Sequence, residues 1–140
     1  MSFPVRVDAY ELVPDSGGAG RWRGGLGTRR VTTVLGSDAA ASVCCERTLA
    51  PPFGLAGGGD GAPAEIVLVD PNGGETRLNS KGPFTAIAGS KVVYQAPGSG
   101  GYGPADGRDP AALADDLRDG YVTADGLARD YGRTPESLEE

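Results

Sequence analysis

Histidine is missing altogether from the 140-residue chain. No Ser-His-Asp or Cys-His pair can be built from it, and no His-ligated zinc site. Any chemistry done here would fall to carboxylates, Lys, Tyr or residues of another chain. Cysteine is almost as scarce: Cys44 and Cys45 are the only two, adjacent in sequence. Neighbours in an extended strand point to opposite faces and are badly placed for a mutual disulfide, so two buried free thiols in a reducing, cytoplasmic setting are expected. No apolar run approaches the ~20 residues of a membrane span, and the N-terminus lacks the basic and apolar regions of a signal peptide. Nor is there a basic excess. Residues 1–104 carry nine acids and nine bases, whereas residues 105–140 carry ten acids and four bases, so the whole net charge of −6 sits in the tail. That balance speaks against nucleic acid and against an anionic membrane surface as partners.

What the chain has instead is glycine. Gly (24) and Pro (11) make up a quarter of it, while apolar residues reach 39% and aromatics 6%. By length it is one domain. Its composition points to a loop-rich β domain with a small core that a partner could complete. The densest stretch, Asp15 to Gly27, holds six glycines and the single Trp, flanked by Arg21 and Arg23. Such a loop cannot form a core alone and must be held by sheet on either side.

Strand-like runs do flank it. Val5 to Leu12 alternates, with Val5, Val7 and Ala9 on one face, and reads as a half-buried strand. Thr28 to Leu35 is β-branched, and Ala40 to Glu46 is its expected hairpin partner across Gly36-Ser37-Asp38. A second special loop, Pro51 to Gly61, starts stiff and ends in glycines. Glu65 to Asp70 is apolar on both faces and so central or covered. Pro71-Asn72-Gly73-Gly74 is a hairpin turn leading to Glu75–Asn79. After a turn at Gly82-Pro83, a short apolar run spans Phe84 to Ala88, and Lys91 to Ala96 is a further strand. Then comes the third glycine loop, Gly98 to Pro104. Beyond it the texture turns helical. Asp109-Pro110 is an N-cap with Pro at N1, Ala111–Asp119 is helical with Gly120 behind it, and Thr123 opens a second helix ended by Gly132. The last residues, RTPESLEE, look frayed. The fold class is thus mainly β, an antiparallel sheet with glycine-rich loops and two short C-terminal helices. Residues 1–104 form the β domain, and 105–140 form an acidic helical tail that docks on a partner or simply presents solvated faces.

Several residues invite a functional reading. Gly98, Gly100 and Gly103 fit G-x-G-x-x-G after a strand, but a dinucleotide site would need a helix at once and a further parallel strand. Pro104 and Gly107 intervene, so a tight loop anchored by Tyr102 is the better reading. No P-loop motif occurs. The run Arg21-Trp22-Arg23 among glycines could form an anion nest. Equally, it could be a structural loop with Trp22 plugging a core and both Arg in water. Lys81, beside Ser80, is either a functional cation or simply exposed.

Taken together, PVRVDAYELVPDSGGAGRWRGGLG at 4–27, PPFGLAGG at 51–58, SK at 80–81 and APGSGGYG at 96–103 resemble the C-terminal region of the hydantoinase B/oxoprolinase family. So does the tail, with its DP, GYVT and L-x-R-D-Y-G pieces between 109 and 132. Two departures are small: Ser99 stands where the family usually has another Gly, and the acid before the Pro near Pro104 is missing. The resemblance implies a small subunit of an ATP-dependent enzyme that opens cyclic amides such as hydantoins or 5-oxoproline. Its related alternative is an acetone- or acetophenone-type ketone carboxylase. It also implies two partners in a hetero-oligomer: a hydantoinase A-type ATP-binding subunit and a large N-terminal hydantoinase B-type part, which between them hold ATP and a divalent metal. Family members are normally several times longer, and Met1 suggests a separately made subunit. No catalytic residue and no metal ligand is carried onto this chain. The loops expected to face a partner or the active site are those of Gly17, Gly18, Gly20, Arg21, Trp22, Arg23, Gly24 and Gly25, with Lys81, and of Gly100, Gly101, Tyr102 and Gly103. Substituting Val for Gly25 or Gly101 is expected to disrupt assembly. From another class, an independent anion-binding module remains the third alternative.

Overall fold

The computed structural model describes residues 4–138; Met1 and the final Glu139 and Glu140 lie outside them. Seven strands form two sheets: β1 (Val5–Leu12), β2 (Thr28–Val34), β3 (Ala39–Cys44), β4 (Glu65–Val69), β5 (Glu75–Arg77), β6 (Lys81–Ala86) and β7 (Lys91–Gln95). The larger sheet has the order β1-β2-β7-β4-β5 and the smaller pairs β3 with β6. Every strand pair is antiparallel, which rules out the parallel crossover of a dinucleotide fold.

Local chemistry accounts for the elements that form. The β-branched run of β2 suits a pleated, half-covered surface. The Pro71–Gly74 turn closes the β4–β5 hairpin, with Gly73 in the left-handed region (φ 90°). Helix α1 (Pro110–Arg118) starts where the Asp109 carboxylate accepts from the Ala111 N–H at 3.0 Å. Helix α2 (Ala124–Tyr131) starts where the Thr123 hydroxyl accepts from the Gly126 N–H, and it stops at Gly132 (φ 62°). Both caps are the ones expected.

Three expectations about the sheet fail, each for a physical reason. Ala39–Cys44 does not return beside β2, because β1 and β7 already occupy both edges of β2. It pairs with β6 instead. That strand begins at Lys81, so Gly82-Pro83 is strand rather than turn. A two-stranded ribbon tolerates the proline, whose missing N–H costs nothing on an open edge. Finally, β1 is an exposed edge rather than a half-buried strand, and Val5 and Val7 stay 44% and 56% exposed. A bulge between Val7 and Ala9 moves Ala9 onto the face opposite Val7, beside Val31.

The core is small and divided. Cys45, Ala64 and Ile66, with Val43, Leu78, Val92 and Tyr94, fill the space between the large sheet and the β3–β6 ribbon. Cys44, contrary to the two-buried-thiols expectation, is exposed, because alternation sends it outward when Cys45 goes in. In the tail, Leu113, Val122 and Leu127 form a second cluster with Leu117, Tyr131 and Leu138. Leu138 belongs to a 3-10 turn, Pro135–Leu138, so this end of the tail, up to residue 138, is folded back rather than frayed.

Candidate functional site

The three glycine loops run against one another and bind backbone to backbone. The Gly18 N–H donates to Ser99 O (2.8 Å) and the Ser99 N–H to Gly25 O (2.8 Å). The Gly59 N–H donates to Ala19 O (2.7 Å), the Gly101 N–H to Gly59 O (2.9 Å), and the Leu55 N–H to Gly101 O (2.9 Å). Ser16 locks the base: its hydroxyl donates to Val13 O and accepts from the Gly27 N–H.

In the first loop glycine is needed for proximity, not for unusual φ, whereas Gly57 (φ 91°) and Gly103 (φ 75°) of the other two take the left-handed region. No glycine between Gly17 and Gly27 has a positive φ. A Cβ at Gly18 would instead meet the Gly59 carbonyl, one at Gly24 the Ser99 carbonyl, and one at Gly101 the Ala19 carbonyl. These neighbours are all backbone and cannot swing aside. The loops form a lattice that only residues without side chains can build.

The structure sorts the site residues expected from the sequence into three groups, with Arg23 apart from all of them. Gly18, Gly20, Gly24, Gly101 and Gly103 are buried and Gly17 and Gly100 half-buried, so their neighbours are this chain's own loops. Arg21, Trp22, Gly25 and Tyr102 are exposed on the lattice surface. Lys81 is elsewhere, on the ribbon, paired with Glu46 at 2.7 Å. This pairing holds the Glu46 carboxyl below and the Lys81 ammonium above their ordinary values.

Trp22 does not plug a core. Trp22 and Tyr102 exchange both backbone hydrogen bonds (3.0 and 2.9 Å), and Tyr102 bridges on to Leu55. Bridged residues carry their side chains on one side, so Trp22, Tyr102 and Leu55 form a strip drawn from three loops, 64%, 55% and 56% exposed. Phe53, two residues along, is exposed too. Tyr102 anchors its loop through its backbone while its ring stands in solvent. The anion nest loses four of its donors: the N–H groups of Gly18, Arg21, Trp22 and Gly24 are given to carbonyls of the chain.

Arg23 does not stand in water as a solvated loop Arg would. It turns inward, to Asp116 of α1 (Nε–Oδ2 3.1 Å), with its guanidinium 5.4 Å above the Tyr121 ring. Arg108 reaches the same carboxylate at 2.6 Å. All three side chains are at most 15% exposed. A second tie lies alongside. Asp15, held at φ 59°, accepts from the Thr123 N–H and hydroxyl (2.8 and 2.6 Å). A Cβ at Gly126 would strike that carboxylate, so the glycine makes room for it. The tail is thereby fastened to the first loop near the end of α1 and at the start of α2. Among the described residues no three His, Cys, Asp or Glu side chains gather as a metal site would need.

The geometry defines a class before it defines a family: a β module whose three loops fuse backbone to backbone into a glycine-rich lattice that displays an apolar strip. The chain belongs to the hydantoinase B/oxoprolinase family, whose model matches residues 1–105. It is 34% identical over 140 residues to the B component of a putative D-/L-hydantoinase of Pseudomonas sp. (strain NS671), covering 99% of this chain and 24% of that one. It is 35% identical over 141 residues to the beta component of the caprolactamase of Pseudomonas jessenii, covering 94% and 23%. Among solved structures, the ATP-dependent caprolactamase of Pseudomonas jessenii matches with a TM-score of 0.79 at 30% identity, over 96% of this chain and 25% of that one. Acetone carboxylase in its nucleotide-free form shares the fold (TM-score 0.76, 20% identity, 92% of this chain and 21% of that one). The chain spans about a quarter of the length of these relatives.

Proposed function

We propose that the chain is a non-catalytic small subunit of an ATP-dependent enzyme of the hydantoinase/oxoprolinase type, in a hetero-oligomer. Its partners in this reading are a hydantoinase A-type ATP-binding subunit and the large hydantoinase B-type part, and ATP and a divalent metal sit on them. The reaction is ring opening of a cyclic amide: lactam, water and ATP give the amino acid, ADP and phosphate. The amide is resonance-stabilised, and transfer of the γ-phosphoryl group to its oxygen makes the carbon a better electrophile for water. One observation carries the reading. The lattice exposes Trp22, Tyr102 and Leu55 side by side, and a contiguous aromatic patch on a rigid base is how a partner surface is built. The relatives support the rest, since the two named above at more than 30% identity carry the names of amide-opening enzymes. The ketone carboxylase reading has a fold likeness behind it and no more. The independent anion module is weakened by the loss of four of the nest's donors. A cytoplasmic location fits an ATP-using enzyme with two free thiols, and among the described residues no helix is long and apolar enough to cross a membrane.

Native mass spectrometry of the chain with hydantoinase A- and B-type chains from the same genome is the test. A defined three-chain complex that hydrolyses ATP with hydantoins, 5-oxoproline or caprolactam is expected. The double variant Trp22→Ala/Tyr102→Ala should bind about 100-fold more weakly while keeping its fold, since both rings are exposed. A stable monomer that ignores both chains overturns the proposal. ATP turnover that needs acetone and bicarbonate moves it to the carboxylase.

A further inference from the structure

The large sheet has an outer face that the subunit reading does not use. Strand register places Ala9, Val31, Val93 and Val67 side by side across β1, β2, β7 and β4. Residues alternate between faces along a strand. Ile66, Val92 and Tyr94 point into the core against the ribbon, so this row points the other way. An antiparallel sheet with one face in water normally carries polar residues there. Here they stand beside the row and at its β5 end, where Arg77 pairs with Val67. Glu11, Arg29, Gln95 and Glu65 form the line on one side, and Thr33, Lys91, Val69 and Glu75 the line on the other. Two of the flanking acids are answered within the chain, Glu11 by Arg29 and Glu65 by Arg77, both at 3.4 Å.

The row is a narrow apolar stripe, and its Val67 and Val93, with the flanking Val69, line a groove of about 580 Å³. It is left half-exposed. Both helices are engaged elsewhere, with each other, with the 3-10 turns and with the first glycine loop. Single exposed apolar residues need no explanation, but a registered row across four strands does.

We infer that this stripe is a second docking surface, and that its occupant is an amphipathic helix from the other three-quarters of a hydantoinase B-type subunit. The inference rests on the subunit reading above. The size of the missing cover argues for that occupant: the same fold occupies only 25% of the caprolactamase chain it matches, leaving three times this length to pack around it. Width and charge argue for a helix. Four strands at ~4.8 Å spacing span ~14–19 Å, about three turns. The flanking polar lines admit one apolar ridge with polar sides, and their largely self-neutralised charges ask for no charged partner.

The test is the dissociation constant of the full chain for the co-purified hydantoinase A- and B-type pair. Val93→Asp and Val67→Asp should each weaken binding about 100-fold with an unchanged circular dichroism spectrum, because a carboxylate would be buried without a partner. Val93→Thr, which keeps the shape and folds more safely, should weaken it about fivefold. Leu49→Asp puts the same charge on a residue 96% exposed and outside the row, and should bind within about twofold of the unmodified chain. Normal binding by both Val→Asp variants overturns the stripe while leaving the subunit reading intact, and equal loss from Leu49→Asp does the same. A dimer of the chain alone that Val93→Asp dissociates overturns it in favour of a second copy. If the unmodified chain binds nothing, the subunit reading itself has failed.

Discussion

The glycine lattice and the helical tail lie against each other and are held together by opposite means. The tail is ordered by what its side chains fill: Leu113 and Leu127 are 1% and 0% exposed in a cluster closed by Val122. The lattice is ordered by what its residues leave out, since its backbones touch only because no Cβ stands between them. In the first region a larger-to-smaller change does the damage, by opening a cavity. In the second a smaller-to-larger change does it, by forcing backbones apart. A single rule for core substitutions would misjudge one of the two.

The contrast breaks most sharply at two neighbouring glycines. Gly24→Ala would drive a methyl into the Ser99 carbonyl, whereas Gly25→Ala meets nothing nearer than the Ser99 hydroxyl at 3.6 Å. Urea unfolding should show Gly24→Ala losing about 4 kcal/mol and Gly25→Ala changing by no more than about 0.5 kcal/mol. Equal effects would mean the loops are not packed backbone on backbone. The same geometry divides the two positions where Val is expected from sequence to disrupt assembly: Gly101 lies buried against Ala19, while Gly25 is on the surface.

Next comes the joint between the regions. Asp116→Ala leaves Arg23 and Arg108, which share its carboxylate, as two buried cations without their anion. A loss of about 3 kcal/mol is expected. Amide exchange should quicken in α1 and in the 15–27 loop together; quickening confined to the helix would show the two regions to be independent.

The smallest effect sharpens the comparison by pH. Hydrogen bonds from Thr33 and then Arg6 hold the Asp8 carboxyl below its ordinary value, and Lys81 does the same for Glu46. A carboxylate depressed in the folded state contributes stability that is present above its unfolded value and lost as pH falls through its folded one. The melting temperature should therefore stay level from pH 7 to about 5 and decline below about 4. Asp8→Asn should make that decline shallower. Amides and carbonyls of the lattice do not titrate, so protection of the Gly59 and Gly101 amides should outlast that of the sheet edge.

Much of the fold could be read in the residues. Caps at Asp109, Thr123 and Gly132 and the turn at Pro71–Gly74 announce local geometry, and local geometry is what short-range chemistry fixes. Strand partners are settled by the whole sheet, which is why β3 reads from its residues as a partner of β2 and is not one. The loops that matter could be recognised as special from composition and family likeness. Their weave could not, because glycines carry no apolar period to show which side faces what. Trp22 misleads for a related reason. A lone large aromatic is normally core, but here the surrounding loops are already filled by their own backbone, and the ring has nowhere to go but out. Arg23 and Asp116 lie 93 residues apart, and nothing local in either one points to the other.

Glycine is the smallest residue available, and this gives the lattice a peculiar place in the history of such a protein. Elsewhere, a bulky replacement can be forgiven later by trimming a neighbour. At Gly18, Gly24, Gly54, Gly58, Gly100 and Gly101 the neighbours are backbone atoms alone, so there is nothing left to trim. Change can accumulate around the lattice, at an open position such as Gly25, but hardly within it. The region least able to vary is the one that lacks side chains, and a catalogue of functional groups would pass over it.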